Sequence, residues 1–359
     1  MKKVLVIFAV AVILRIWHLP ETAQFSYDEA RDAAAEKLIL EGNLTLLGPE
    51  SQIGDKRIYF GPLHYYLMAP ALAFSNFDPL GPYFLTAFIG GLTAVLLAKY
   101  FSPAAGLFYA VFPIAVIYNR WAWNPNTIPF LIVISLIFYY KKRLFFAGLF
   151  AGLVTQLHWM AGAFLLFYIF KPKALLGVIA GLLPVIIFDL RSNFLYTRTL
   201  LDLFNGPVAR TLNWHYFLWL IPFLAIKFPR KIVIAGSLLI TVIWLYQLKP
   251  KLPLNPFYVR QMAKIIAFDQ TDPNLTYNVV SFYGGDFRAH NLRYFLDFET
   301  NKPLGPSEYS VADHLYAVTF EDEDKVLYNG LYELSSFGPK RVSKTWELAG
   351  ARIYRLEKL

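Results

Sequence analysis

Residues 81–98 read GPYFLTAFIGGLTAVLLA, with no charged side chain before Lys99. A helix needs about 20 apolar residues to cross the hydrocarbon core of a bilayer, so this stretch predicts a membrane span. Working outward from it, apolar segments recur at 4–14, 103–118, 126–140, 144–158, 160–170, 174–190, 214–228 and 232–248. Several fall short of a full span, which predicts helices that extend into polar flanks or pair as re-entrant segments. Basic residues punctuate the series at Lys2-Lys3, Lys99, Lys141-Lys142-Arg143, Lys171-Pro172-Lys173 and Lys227 to Lys231, at every second boundary. Cytoplasmic loops collect Lys and Arg. The expectation is therefore nine spans, a cytoplasmic N-terminus and an extracytoplasmic C-terminal region. Residues 4–14 are read as an uncleaved first span, because Arg15, Trp17 and His18 interrupt its outer end and no small-residue cleavage site follows.

Composition supports a multi-pass membrane protein. Of 359 residues, 57% are hydrophobic and 16% charged, against about a quarter charged in soluble domains. Mean hydropathy is +0.43. The net charge of +9 belongs to the membrane half: residues 250–359 carry 13 basic and 14 acidic side chains, and the first 249 carry 21 and 11. Loop bias accounts for that asymmetry, so it does not point to nucleic acid. The chain has no cysteine, which excludes disulfides and thiolate chemistry.

Two regions fall outside the apolar series. Residues 19–80 read as a long external loop with amphipathic surface helices near 27–41 and 62–74. Residues 250–359 read as a soluble α/β domain, with strands at Tyr277–Phe282, Tyr316–Phe320 and Arg352–Leu356, and helices at Pro256–Phe268 and His290–Phe298. Glu321-Asp322-Glu323-Asp324 reads as a solvated acidic turn. The expected domains are thus 1–249 and 250–359.

Polar residues at the outer ends of spans are the functional candidates, since charge near a bilayer is costly. In Phe25-Ser26-Tyr27-Asp28-Glu29-Ala30-Arg31-Asp32, Ser26 followed by Glu29 forms a capping box that starts a helix and puts Asp28 in its first turn. An ionised Asp28 suits a base or, with Glu29, a divalent-cation ligand, and both acids equally suit a plain helix cap. Arg15 either snorkels to the interface or meets an anionic head group. His158 suits a phosphate, sugar or metal contact, and Trp159 suits either a sugar or the interfacial belt. Asn119-Arg120-Trp121-Ala122-Trp123-Asn124-Pro125-Asn126 offers indoles and amides to a sugar, with Asn124 also placed to cap a helix before Pro125. Asp189 and Arg191 lie two apart and so face different partners. Arg57 adds a cation on the same side. No nucleotide-binding glycine loop, zinc-protease motif or serine-hydrolase elbow is present.

The ordered set Leu14-Arg15-Ile16-Trp17, Tyr27-Asp28-Glu29-Ala30-Arg31, Gly61-Pro62-Leu63-His64-Tyr65-Tyr66-Leu67, His158-Trp159 and Phe188-Asp189-Leu190-Arg191 resembles the GT-C membrane glycosyltransferases. The similar branch holds protein O-mannosyltransferases and aminoarabinose transferases. The resemblance covers roughly residues 1–200. It implies an integral membrane enzyme that moves a sugar from a polyprenyl-phosphate donor to an extracytoplasmic protein, lipid or glycan, in contact with membrane lipids. Asp28 would be the base and Glu29 its support. Arg15, Arg57, His158 and Arg191 would contact the donor phosphate, and Tyr27, Arg31, Tyr65, Trp123, Asn124, Trp159 and Asp189 would line the substrate site. Many relatives carry a second acid before the fourth span, where this chain has Asn119, Asn124 and Asn126. A lipid-sugar transporter would instead distribute polar groups through the bilayer midplane, and a non-catalytic lipid-sugar scaffold would dispense with Asp28.

Overall fold

The computed structural model describes residues 2–53, 56–202 and 213–359. It forms two compact units. One comprises Met1–Leu19 and Ala35–Leu248, the other Pro20–Ala34 and Lys249–Leu359. Part of the first loop, residues 20–34, packs with the C-terminal domain, and the helical unit runs on to Leu248.

In the first unit the apolar segments are helical and repeatedly broken. Helix Lys2–Ile16 packs on Leu80–Tyr100 and Pro103–Val111, with Ile7 and Ala11 buried against Ala94, Leu97, Phe108 and Tyr109. The 103–118 segment divides at Phe112 into Pro103–Val111 and Pro113–Tyr118. The 174–190 segment divides into Pro172–Gly181 and Leu183–Arg191, bent by 64°. The 160–170 segment is a 3-10 helix, Trp159–Phe167, and 214–228 combines a 3-10 turn, Trp214–Leu220, with Ile221–Lys227. Proline sets these starts: Pro103, Pro113, Pro129, Pro172, Pro184 and Pro222 stand at the first or second helical position, where a missing N–H leaves no bond unmade. Among the described residues, Leu80–Tyr100 alone is long and apolar enough to cross a membrane, with the bent pair as a second if it forms one span. Helix length does not supply the nine spans expected from the charge pattern.

Leu144–Leu157 lies on Pro172–Gly181 with backbones almost touching. A Cβ on Gly148 would meet the Ala174 carbonyl oxygen at 1.8 Å, and one on Gly177 would meet the Phe145 carbonyl at 1.9 Å. Gly152 and Gly181 are crowded in the same way. Each helix thus carries a glycine pair four residues apart, the small-residue pattern that lets membrane helices approach closely. The crossing seals a core of Ile132, Leu136, Ala147, Ala151, Val154 and Phe164.

The second unit is an α/β domain. Strands β3 (Tyr277–Ser281), β4 (His314–Thr319), β5 (Lys340–Leu348) and β6 (Ala351–Lys358) form one sheet, in which β3 pairs parallel to β4, and β6 lies antiparallel between β4 and β5. In the first unit, β1 (Glu50–Ile53) and β2 (Lys56–Tyr59) form a separate hairpin. The expected strands and the helices Pro256–Asp269 and His290–Leu296 are present. Sequence reading missed β5 because its charged, alternating face is that of a protected sheet edge. The acidic 321–324 stretch is also not a simple turn. It leads into helix Glu323–Leu327, whose N-terminal dipole favours acids, and Asp322 pairs with Arg352 at 2.5 Å.

Residues 20–34 join this domain through named bonds. The Asn255 amide donates to the carbonyls of Pro20, Glu21 and Ala23 at 2.7–3.2 Å, while its Oδ1 caps helix Pro256–Asp269 at Phe257 N. Phe25 is fully buried against Tyr294 and Phe295, and its carbonyl accepts from Asn291 at 3.2 Å.

Replacing Gly177 by Val should destabilise the helical unit by at least about 2 kcal/mol, because backbone blocks the added side chain. Thermal unfolding in detergent measures this, and an unchanged midpoint would refute the close crossing.

Candidate functional site

Two sets of candidate residues are built locally, one in each unit. In the second unit, helix Tyr27–Leu40 starts with the expected capping box. The Ser26 amide and hydroxyl donate to Glu29 Oε2 at 2.8 and 2.5 Å, and Glu29 is buried. Glu29 therefore holds the helix start. Asp28 differs from it: its side chain is 41% exposed, and Oδ1 accepts from Arg31 Nη1 at 2.9 Å. Arg31 also bonds Asp32 Oδ1 at 2.7 and 2.9 Å, so one guanidinium serves two acids. Burial of its inner side raises the Asp28 pKa above the ordinary carboxylate value. Arg31 opposes that shift and Asp32 adds to it. The arrangement presents a single carboxylate, held in place by a cation, with a raised affinity for a proton.

Tyr27 stands edge-on to His290, with ring centres 4.8 Å apart, and His290 Nδ1 lies 2.7 Å from Asp286 Oδ1. Sequence reading did not find His290 or Asp286, since more than 250 residues of chain separate them from Tyr27. Glu29 Oε2 accepts from Ser26 and Asp28 Oδ1 from Arg31. Among the described residues, no group of three or more His, Asp or Glu side chains that could hold a metal ion is present.

In the first unit the indoles and imidazoles gather. Trp121 and Trp123 stack at 4.8 Å, and Trp123 meets His215 at 4.7 Å. His158 stacks between Phe60 at 5.3 Å and Trp159 at 5.7 Å, and meets His215 and Tyr216 edge-on. His158 Nδ1 accepts from Met160 N at 3.2 Å, which fixes the ring at the end of helix Leu144–Leu157. His215 and Tyr216 were missed because they sit inside a segment that reads as apolar. The cluster offers aromatic faces beside ring nitrogens and a phenol, the surface that suits a sugar.

The amides predicted for ligand contact instead build this cluster's frame. Asn124 Nδ2 donates to Leu157 O at 2.5 Å and does not cap a helix. Asn119 donates to Asn126 O at 2.9 Å, and Asn126 to Trp121 O at 2.7 Å. Gln156 accepts from Leu63 N at 3.3 Å and donates to Gly181 O at 2.5 Å.

Arg15 is fully buried, and its guanidinium donates to the carbonyls of Ala11, Tyr109 and Ala110 and to Asn119 Oδ1 at 2.9–3.2 Å. Those partners are protein groups, so the side chain does not snorkel to the interface. Asp189 is likewise engaged, accepting from Tyr196 N and from Thr197 N and Oγ1 to start helix Leu195–Asp202. Tyr65 is buried in helix Leu63–Phe74. Arg57 is exposed and lies 3.5 Å from Glu50 across the β1–β2 hairpin. Arg191 is exposed at the end of its helix.

ArnT from Cupriavidus metallidurans, solved bound to undecaprenyl phosphate, superimposes with a TM-score of 0.60, covering 98% of this chain and 97% of its own. The chain has the fold of ArnT. Identity with ArnT is 10%, so the likeness concerns how the chain is folded, and it takes in the C-terminal domain as well as the helical unit. The GT-C-like architecture expected from the ordered motifs is the one present. No family model matches the sequence, and no curated protein does.

Replacing Arg15 by Lys should lower stability by at least about 2 kcal/mol, since an ammonium cannot reproduce the planar set of donors and leaves buried carbonyls unpaired. Arg191→Ala should stay within about 0.5 kcal/mol of wild type. Equal unfolding midpoints for the two variants would refute the structural role of Arg15.

Proposed function

We propose that this chain is an integral membrane glycosyltransferase that takes a sugar from a polyprenyl-phosphate donor and transfers it to an extracytoplasmic acceptor. The observation that carries the reading is the ArnT-like fold over nearly the whole of both chains, together with a helix start that presents one carboxylate. ArnT was solved with undecaprenyl phosphate, and a polyprenyl-linked donor is the corresponding substrate class for this chain. In this reading the helical unit, residues 1–19 and 35–248, is the membrane-embedded part, the unit of residues 20–34 and 249–359, which carries Asp28, is extracytoplasmic, and the N-terminus is in the cytoplasm.

In the proposed reaction, ionised Asp28 takes a proton from the acceptor's nucleophilic group. That group forms a bond to the anomeric carbon while the bond from carbon to phosphate oxygen breaks. The electron pair leaves with the polyprenyl phosphate, and the anomeric configuration inverts. One base suffices because a phosphate leaving group needs no proton. Arg31 keeps Asp28 oriented, and Glu29 keeps the helix start in register. The exposed Arg191 and Arg57 are the candidates for the growing phosphate charge, with a guanidinium fork suited to it. Trp123, Trp159 and His158, now with His215 and Tyr216, are the candidates for the sugar.

Asp28→Asn should abolish sugar transfer from polyprenyl-phosphate-linked donors while leaving the unfolding midpoint near that of wild type. Transfer by both proteins would place the base elsewhere, and transfer by neither, with donor bound, would favour a lipid-sugar scaffold.

The base must be ionised, so activity falls as pH drops through the Asp28 pKa, which lies above the ordinary carboxylate value of 3.8. Arg31→Gln removes a charge that favours the anion, so the acidic limb of the rate profile should move to higher pH. A limb that stays fixed or moves down would exclude Asp28 as the titrating base.

A further inference from the structure

The C-terminal domain carries a groove of about 700 Å³ that the proposed transfer reaction does not use. Its two walls follow from two periodicities. Gln261, Lys264 and Phe268 fall on one face of helix Pro256–Asp269, opposite the buried Val259, Met262, Ala263 and Ile266. Lys344 and Trp346 alternate onto one face of the edge strand β5. Thr271 closes the end beyond the helix.

The lining is divided in a way that suits one ligand class. Phe268 is 86% exposed, and the Trp346 indole is only partly covered, leaning on Tyr316 with ring centres 6.4 Å apart. Aromatic faces left in water beside amide, hydroxyl and ammonium groups match a pyranose, which has an apolar C–H face and a rim of hydroxyls. The charge in the groove is positive. Its carboxylate, Asp269, is already held by Lys344 at 2.5 Å, Arg355 at 3.0 Å and the Tyr316 hydroxyl at 2.7 Å. Lys264 is exposed and has no ion-pair partner among the described residues, so its charge is available to a ligand. The volume falls within the usual range for small-molecule sites, about 300–1,000 Å³.

We propose that this groove is a binding site for an anionic saccharide, with the sugar ring stacked on Trp346 and its anionic group on Lys264. Binding here requires neither Asp28 nor sugar transfer, so the proposal stands or falls apart from the catalytic one.

The test is calorimetric titration of the full chain in detergent micelles with glucose 6-phosphate, glucose and inorganic phosphate. Wild type should bind glucose 6-phosphate more tightly than either fragment. Lys264→Gln should weaken glucose 6-phosphate about tenfold, the scale of one charge-assisted hydrogen bond, and remove its advantage over glucose. Trp346→Ala should weaken both sugars, with the unfolding midpoint confirming that the domain is intact. Lys264 is exposed, so its replacement keeps the test valid even if the Trp346 variant fails to fold. Asp28→Asn should bind as wild type does. Absence of binding to wild type, or binding unchanged by Lys264→Gln, would overturn the proposal.

Discussion

The buried guanidinium of Arg15 is the constraint on which the helical unit depends. A cation placed among apolar helices is tolerated only when its donors find acceptors. Here those acceptors come from three places: the preceding turn of its own helix at Ala11, the end of Pro103–Val111 at Tyr109 and Ala110, and the turn residue Asn119. Gly90 is part of the same arrangement, because a Cβ there would lie 2.4 Å from both Arg15 Nε and Asn119 Oδ1. Asn119 then reaches Asn126, and Asn126 reaches Trp121, so the charge fixes the turn that holds Trp121 and Trp123. Arg120 returns to the Arg15 carbonyl at 2.8 Å and closes the loop. The aromatic cluster is thus supported by a polar lattice that begins on the first helix.

A comparable division of labour runs through the second unit. Glu29 and Asp28 are neighbours in sequence, yet one is buried in a cap and the other is held half-exposed by Arg31. The cap fixes the helix start, and the fixed start sets where Asp28 points. Asn255 acts in the same spirit, joining residues 20–23 to the domain while capping the helix that follows it. A short piece of the first loop therefore behaves as part of a domain that begins more than 200 residues later.

At 10% identity with ArnT, few side chains are shared along with the fold. In this chain helices start at prolines, cross closely at paired glycines and have their breaks satisfied by amide side chains. The apolar residues between them need only fill space.

Local patterns determined a good deal by themselves. Apolar runs marked the helical segments, Ser26 and Glu29 marked the helix start, and short strand-like runs marked β3, β4 and β6. These are read within a few residues, where periodicity and capping act. The singling out of Asp28, His158, Trp123 and Trp159 also came from the sequence, because polar groups at the ends of apolar runs are costly wherever they lie. Only the tertiary structure decided which of them are committed to protein. Arg15, Asn124 and Asp189 look like ligand contacts in sequence and are held by backbone groups from distant turns or from the next helix. His215, Tyr216, His290 and Asp286 carry no local signal and acquire meaning from their neighbours. The physical reason is that a hydrogen bond's worth depends on whether its partner is protein or water, and that partner is chosen by contacts far apart in the chain.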